Sequence, residues 1–69
     1  MNEDKEIAKK AKHEELKAIG QYDMHLAKAQ HPKLRAILEY NKMDELEHAY
    51  KLKAWLLAQE AKEHSKVLA

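Results

Sequence analysis

The stretch Ala27-Lys28-Ala29-Gln30-His31-Pro32-Lys33-Leu34 holds the only proline of a 69-residue chain, and its reading decides the fold. Pro32 lacks an amide hydrogen and restricts the residue before it, so a helix arriving from the N-terminal side stops near Gln30. The same ring suits the first turn of a new helix. Outward toward the N-terminus, nothing breaks a helix between about residues 3 and 29. Asn2 or Asp4 is available as its cap, and Gly20 costs only about 1 kcal/mol relative to Ala. Outward toward the C-terminus, a second helix runs from about residue 32 to 59, and residues 60–69 stay helix-compatible as a tail or a short third helix. The connection around His31 is short enough to force an antiparallel return. The expected domain is therefore one all-α, two-helix hairpin spanning residues 1–69.

Composition agrees with long amphipathic helices. Charged residues make up 36% and hydrophobic ones 45%, and the good helix formers dominate. Cys is absent, which excludes a disulfide framework and any thiolate metal site. The formal net charge is +1 with both signs interspersed, unlike the basic stripe of a nucleic-acid binder; Lys9, Lys10 and Lys12 read as a solvated cluster. The N-terminus is too polar for a signal peptide, and the apolar run Ala54–Ala58 falls far short of a bilayer span. A soluble, cytoplasmic chain is expected, without nucleic-acid or membrane partners. A hairpin of this size buries little apolar surface alone, so association of two copies is expected as well.

The seam of the second helix carries the chemistry. Alternating steps of four and three give Leu34, Leu38, Asn41, Glu45, His48, Leu52 and Trp55, with Ile37 and Leu56 beside them. The outer positions are apolar, as a packed seam requires, but the middle three are Asn, Glu and His. On the first helix, Ala8, Ala11, Ala18, Ile19, Tyr22, Leu26 and Ala29 share one arc, and Glu15 lies inside it. With the turn near residue 30 or 31, Glu15 is level with position 46, about 22 Å from the turn at about 1.5 Å per residue. Glu15, Glu45 and His48 thus share a direction and a height.

Two unpaired carboxylates in an apolar seam cost several kcal/mol unless a cation neutralises them or their pKa rises. Carboxylate oxygens with one imidazole suit iron, and manganese, zinc or calcium are conceivable substitutes. The i, i+3 spacing of Glu45 and His48 places both on one helical face. Di-iron carboxylate bundles take a Glu from each of two helices and a Glu-x-x-His from each of the other two. This chain has one of each, so two copies about a two-fold axis would complete a four-helix bundle holding two Fe per dimer interface.

The segments His13-Glu14-Glu15-Leu16, Tyr22-Asp23, Pro32 with Leu34 and Ala36-Ile37-Leu38, Asn41, and Asp44-Glu45-Leu46-Glu47-His48-Ala49 resemble the encapsulated ferritin family, the half-ferritins with one helical hairpin per chain. The resemblance implies a ferritin-like bundle and a ferroxidase that oxidises Fe(II) to Fe(III) with dioxygen in iron storage or detoxification. It implies Glu15, Glu45 and His48 as metal ligands, with Glu45 bridging, these three together with Tyr22, an aromatic beside the site, as catalytic residues, and Glu14 on the metal access route. It also implies dimers joined into a ring, a decamer, packaged in an encapsulin nanocompartment. Lys17 and Gln21 depart from an acidic and an aromatic residue of the access region. The sequence closes on Lys66-Val67-Leu68-Ala69 without a recognisable shell-targeting tail, which leaves the compartment open.

Two other readings of the same residues stand beside this one: non-catalytic metal binding, and a purely structural helical dimer. Asn41 reads as a register-fixing polar group or as a hydrogen-bond support for a ligand. Tyr22 reads as a core residue whose hydroxyl bonds a ligand carboxylate, and His13, His25, His31 and His64 as solvated. A second stripe, Ala36, Met43, Tyr50 and Leu57, points away from the seam. With Leu46 it is expected to join dimers into a larger assembly.

Overall fold

Glu3, Asp4 and Glu6 at one end of the first helix and His25 and Lys28 at the other complement the helix dipole. In a computed structural model these residues bound α1, Glu3–Lys28, which returns antiparallel along α2, Pro32–Leu68. The structure describes the backbone of residues 3–68 and the side chains of residues 3–64. Asn2, the alternative cap, lies outside them.

The turn is a set of backbone groups satisfied by named side chains. The Ala29 amide donates to the His25 carbonyl at 2.9 Å, and the Arg35 amide donates to the His31 carbonyl at 2.9 Å. His31 is therefore the N-cap of α2 and Pro32 its first helical residue. The imidazole Nδ1 of His31 accepts a bond from the Lys33 amide at 3.2 Å, satisfying one of the free donors of the first turn. From the second helix, Arg35 Nη1 donates to the Leu26 and Ala29 carbonyls, two acceptors that the end of α1 leaves without an internal partner. Arg35 thus clamps one helix end to the start of the next.

The second helix does not stop near residue 59. It continues to Leu68 without a separate third helix, 37 residues in all. Residues 60–68 contain neither Gly nor Pro, and Lys5 Nζ meets Glu63 Oε2 at 2.8 Å, tying this extension to the first turn of α1. Lys42 Nζ and Asp23 Oδ1 make a second cross-hairpin pair at 2.6 Å.

The rotation of α2 also differs from expectation. Toward α1 it turns Arg35, Leu38, Lys42, Glu45, Ala49, Leu52, Leu56 and Gln59, a continuous alternation of threes and fours. Only Leu38, Glu45 and Leu52 of the expected seam are included. Leu34, Ile37, Asn41, His48 and Trp55 stand exposed on one flank. The cause is that α2 has apolar residues on nearly every side, so the fit against α1 selects the phase, and Ala49 permits close approach. The first helix presents the arc expected of it, Ala8 through Ala29 with Glu15 inside.

Among the described residues only Ala8, Leu26, Ala49 and Leu56 are buried hydrophobics. The hairpin is a rod of 57 × 15 × 14 Å exposing 5805 Å². A compact protein of 8.1 kDa would expose about 4,500 Å². The excess, on the order of 1,300 Å², is the size of a protein–protein interface. No helix among the described residues is long and apolar enough to cross a membrane.

Arg35→Met keeps the packed stem and removes the donors, so it should lower stability by about 1–2 kcal/mol, with Arg35→Lys falling between. Urea midpoints at fixed protein concentration and unchanged m-value check this. A second expectation concerns alkaline pH. The hydrogen bond to Glu63 chiefly, and that to Asp23 chiefly, hold Lys5 and Lys42 above the ordinary lysine value of 10.5. Their stabilisation is complete below that value and is lost as pH rises through the raised one. Both ammonium groups face solvent, so the loss should be small, weakened by salt, and absent from a Lys5→Met, Lys42→Met variant followed by circular dichroism between pH 9 and 12.

Candidate metal centre

Glu45 and His48 sit one turn apart on α2, and the register of the hairpin brings Glu15 of α1 level with them. One ligand-capable atom from each of the three lies within 4.8 Å of the others. Glu15 and Glu45 are half-buried and His48 is exposed. Glu15 Oε2 stands 3.7 Å from His48 Nδ1, too far for a hydrogen bond. That oxygen is buried and has no hydrogen-bond partner, even though the Glu15 side chain as a whole keeps 27% of its exposure.

An enclosed carboxylate oxygen without a donor costs about 1–3 kcal/mol, and more when charged. Helix pairs avoid this arrangement unless something else is to be held there. Two carboxylates and a neutral imidazole balance the charge of one divalent cation. Adjacent ligands about 2.1 Å from a shared ion lie roughly 3.0–3.4 Å apart, so from separations of up to 4.8 Å the cluster contracts by about 1.4–1.8 Å at most, within side-chain rotation. Oxygen and imidazole donors without thiolate suit iron and manganese, with zinc a competitor. The residues present therefore fit a divalent cation of that class.

The other candidate residues fall outside this cluster. Tyr22 is half-buried on the same arc as Glu15 but two turns away, about 10 Å along the axis. It lines a cavity of about 190 Å³ with Ala18, Gln21 and His25. Its hydroxyl makes no hydrogen bond to a ligand carboxylate, contrary to expectation, because the rise between positions 15 and 22 exceeds its reach. Glu14, Lys17, Gln21 and Asn41 are exposed, as are His13, His25, His31 and His64. His31 is nevertheless engaged as the α2 cap, so solvation alone does not describe it.

The residues that position the cluster were the ones least visible beforehand. Arg35 and His31 set the turn, and Lys42–Asp23 and Lys5–Glu63 pin the register at two heights. A histidine immediately before a proline, followed by arginine one turn into the helix, was the available signal for the first pair. The two lysine pairs could be found only once the phase of α2 was known.

A family model described as EncFtn-like matches residues 1–68. Comparison with curated proteins gives no match, and comparison with solved structures gives none.

If Glu15 is held for a cation, then Glu15→Met should raise the stability of the metal-free protein, by about 1 kcal/mol, while abolishing its response to metal. Thermal melts with and without Mn(II) distinguish the outcomes. The unsubstituted chain should gain about 2–3 kcal/mol near a hundredfold excess over Kd. A metal-free Glu15→Met protein less stable than its parent would mean that the carboxylate serves the fold.

Proposed function

The chain belongs to the EncFtn-like family, and from that premise we propose that it is a ferroxidase, oxidising Fe(II) to Fe(III) with dioxygen at a site completed by a second copy. Family membership by itself points to ferritin-like, iron-related function. The observation that carries the finer reading is the orphaned oxygen of Glu15 beside His48 and Glu45.

Fe(II) is the substrate. Glu15 and Glu45 supply anionic oxygen ligands, which stabilise the product charge more than the substrate charge and so favour loss of the electron. His48 adds a nitrogen ligand from the open side, where its 53% exposure leaves room for an ion to arrive. Each Fe(II) gives up one electron, and dioxygen accepts these electrons together with protons from water. The chain's own part is to hold the ions at fixed positions and to exclude competing ligands.

One hairpin provides half of a di-iron ligand set, three side chains on a partly exposed flank. Around His48 that flank carries Leu34 at 46%, Ile37 at 53% and Trp55 at 39% exposure, an apolar frame for a second copy. A two-fold axis there would set a second Glu15, Glu45 and His48 opposite the first and yield a four-helix bundle. In that dimer Tyr22 would flank the site rather than ligate it, and Glu14 would lie toward its mouth.

Aerobic addition of Fe(II), followed by Fe(III) absorbance and an oxygen electrode, tests this reading. His48→Ala and Glu45→Ala should each slow oxidation at least about tenfold, as loss of a ligand does. Equal rates in all three proteins would remove the catalytic claim. Metal-dependent stabilisation without oxygen uptake would assign the chain to metal binding without turnover.

A further inference from the structure

The tip of the hairpin carries no acid. Between Asp23 and Glu39 the sequence places His25, Lys28, His31, Lys33 and Arg35, with neither Asp nor Glu among them. One side chain of this cationic tip works as an acceptor: the Lys33 amide donates to His31 Nδ1 at 3.2 Å. The preferred helix N-caps are Ser, Thr, Asp and Asn, whose oxygens go on accepting throughout the range in which histidine changes charge. An imidazole nitrogen accepts only while the ring is neutral and its proton sits on the other nitrogen.

Protonation of His31 turns Nδ1 from an acceptor into a donor aimed at another N–H. The surroundings oppose that charge from both helices. On α2 stand Lys33, Arg35 and the positive end of the helix dipole. From the last turn of α1 come Lys28 and His25, the latter once protonated. The Leu26 and Ala29 carbonyls, negative ends that could receive the extra proton, already accept from Arg35. Asp23 is held by Lys42 at 2.6 Å. Glu39 lies eight positions beyond His31, or about 12 Å along the helix.

We propose that His31 is a protonation-sensitive latch on the hairpin turn: the neutral ring caps α2, and the imidazolium releases the Lys33 amide and loosens the turn. The latch is joined to the clamp between the helices, because the His31 carbonyl accepts from the Arg35 amide at 2.9 Å. Its sign follows from the bond that is lost. The unfolded chain takes up a proton at His31 without breaking a hydrogen bond, whereas the folded turn must break one. Stability is therefore greater above the range in which histidine changes charge and falls as pH drops through it. The Lys33 amide is exposed and can turn to water, so the turn weakens by about fivefold in folding constant, the effect of losing one cap, and does not unfold outright. The Glu15–Glu45–His48 cluster takes no part in the latch, and the inference does not rest on the ferroxidase reading.

The full chain, kept metal-free with chelator and at fixed protein concentration, supplies the test. His31→Asn keeps an acceptor at every pH, and His31→Ala has none. Near pH 8 the parent should lie within about threefold of His31→Asn in folding constant and about fivefold above His31→Ala. Near pH 5.5 it should fall to within about twofold of His31→Ala, with His31→Asn left well above both. Titration of His13, His25, His48, His64 and the carboxylates is common to all three proteins and cancels in these ratios. Amide NMR gives the local readout: the Lys33 signal should move with the His31 titration in the parent and stay still in His31→Asn. Ratios among the three proteins that do not change between the two conditions overturn the proposal. So does an imidazole that carries its proton on Nδ1 near pH 8, or a Lys33 signal indifferent to the state of His31.

Discussion

The carboxylate of Glu15 sets the terms for the whole hairpin. It projects from an arc of Ala8, Ala11, Ala18 and Ile19, and one of its oxygens is enclosed with no donor in reach. An apolar residue of similar size would pack there at no such cost. The rest of the structure acts to present that oxygen to Glu45 and His48. A slip of one residue along α2 changes height by about 1.5 Å and direction by about 100°, which would scatter the three side chains. Hence the register is held at several points: Arg35 and His31 at the turn, Lys42–Asp23 partway along, and Lys5–Glu63 at the far end. The two lysine pairs face solvent and add little stability.

Narrow burial explains why specific polar contacts matter this much. Among the described residues, two of the four buried hydrophobics are alanines, which favour close helix approach over a large hydrophobic contribution. The remaining apolar surface is divided between two flanks of α2, one with Leu34, Ile37 and Trp55 around His48, the other with Met43, Leu46, Tyr50 and Leu57. A helix with apolar residues on three sides is fully satisfied only when each side meets a neighbour, and α1 covers one.

That distribution also separates what was legible in the sequence from what was not. Pro32 marks the break, its short connection implies an antiparallel return, and equal distances from the turn place Glu15 beside Glu45 and His48. Those inferences depend on local backbone rules and on helical rise, which are nearly context-free. The phase of α2 is not. Periodicity favours Leu34, Asn41, His48 and Trp55 as the packed seam, whereas α1 packs against Arg35, Lys42 and Ala49, because several stripes of α2 are almost equally apolar. The run beyond residue 59 was illegible for a related reason: no stop signal occurs there, and continuation is supported by a contact between residues 58 positions apart, Lys5 and Glu63. His48 lies with the two carboxylates, and its exposure follows from the phase.

That exposure links metal loading to association under the proposed function. In a single hairpin, water occupies whatever coordination positions Glu15, Glu45 and His48 leave open, and the apolar frame of Leu34, Ile37 and Trp55 stays wet. Closing a second copy over this flank removes both. If the second copy raises the affinity for Fe(II) by some factor, thermodynamic reciprocity requires Fe(II) to raise the affinity between copies by the same factor. An uncompensated carboxylate works in the same direction, since two such groups brought together without a cation repel. The metal-free state therefore resists closure at this face, and the cation favours it. Under that reading, a half-buried acid that weakens the empty hairpin would be the means by which substrate organises its own site.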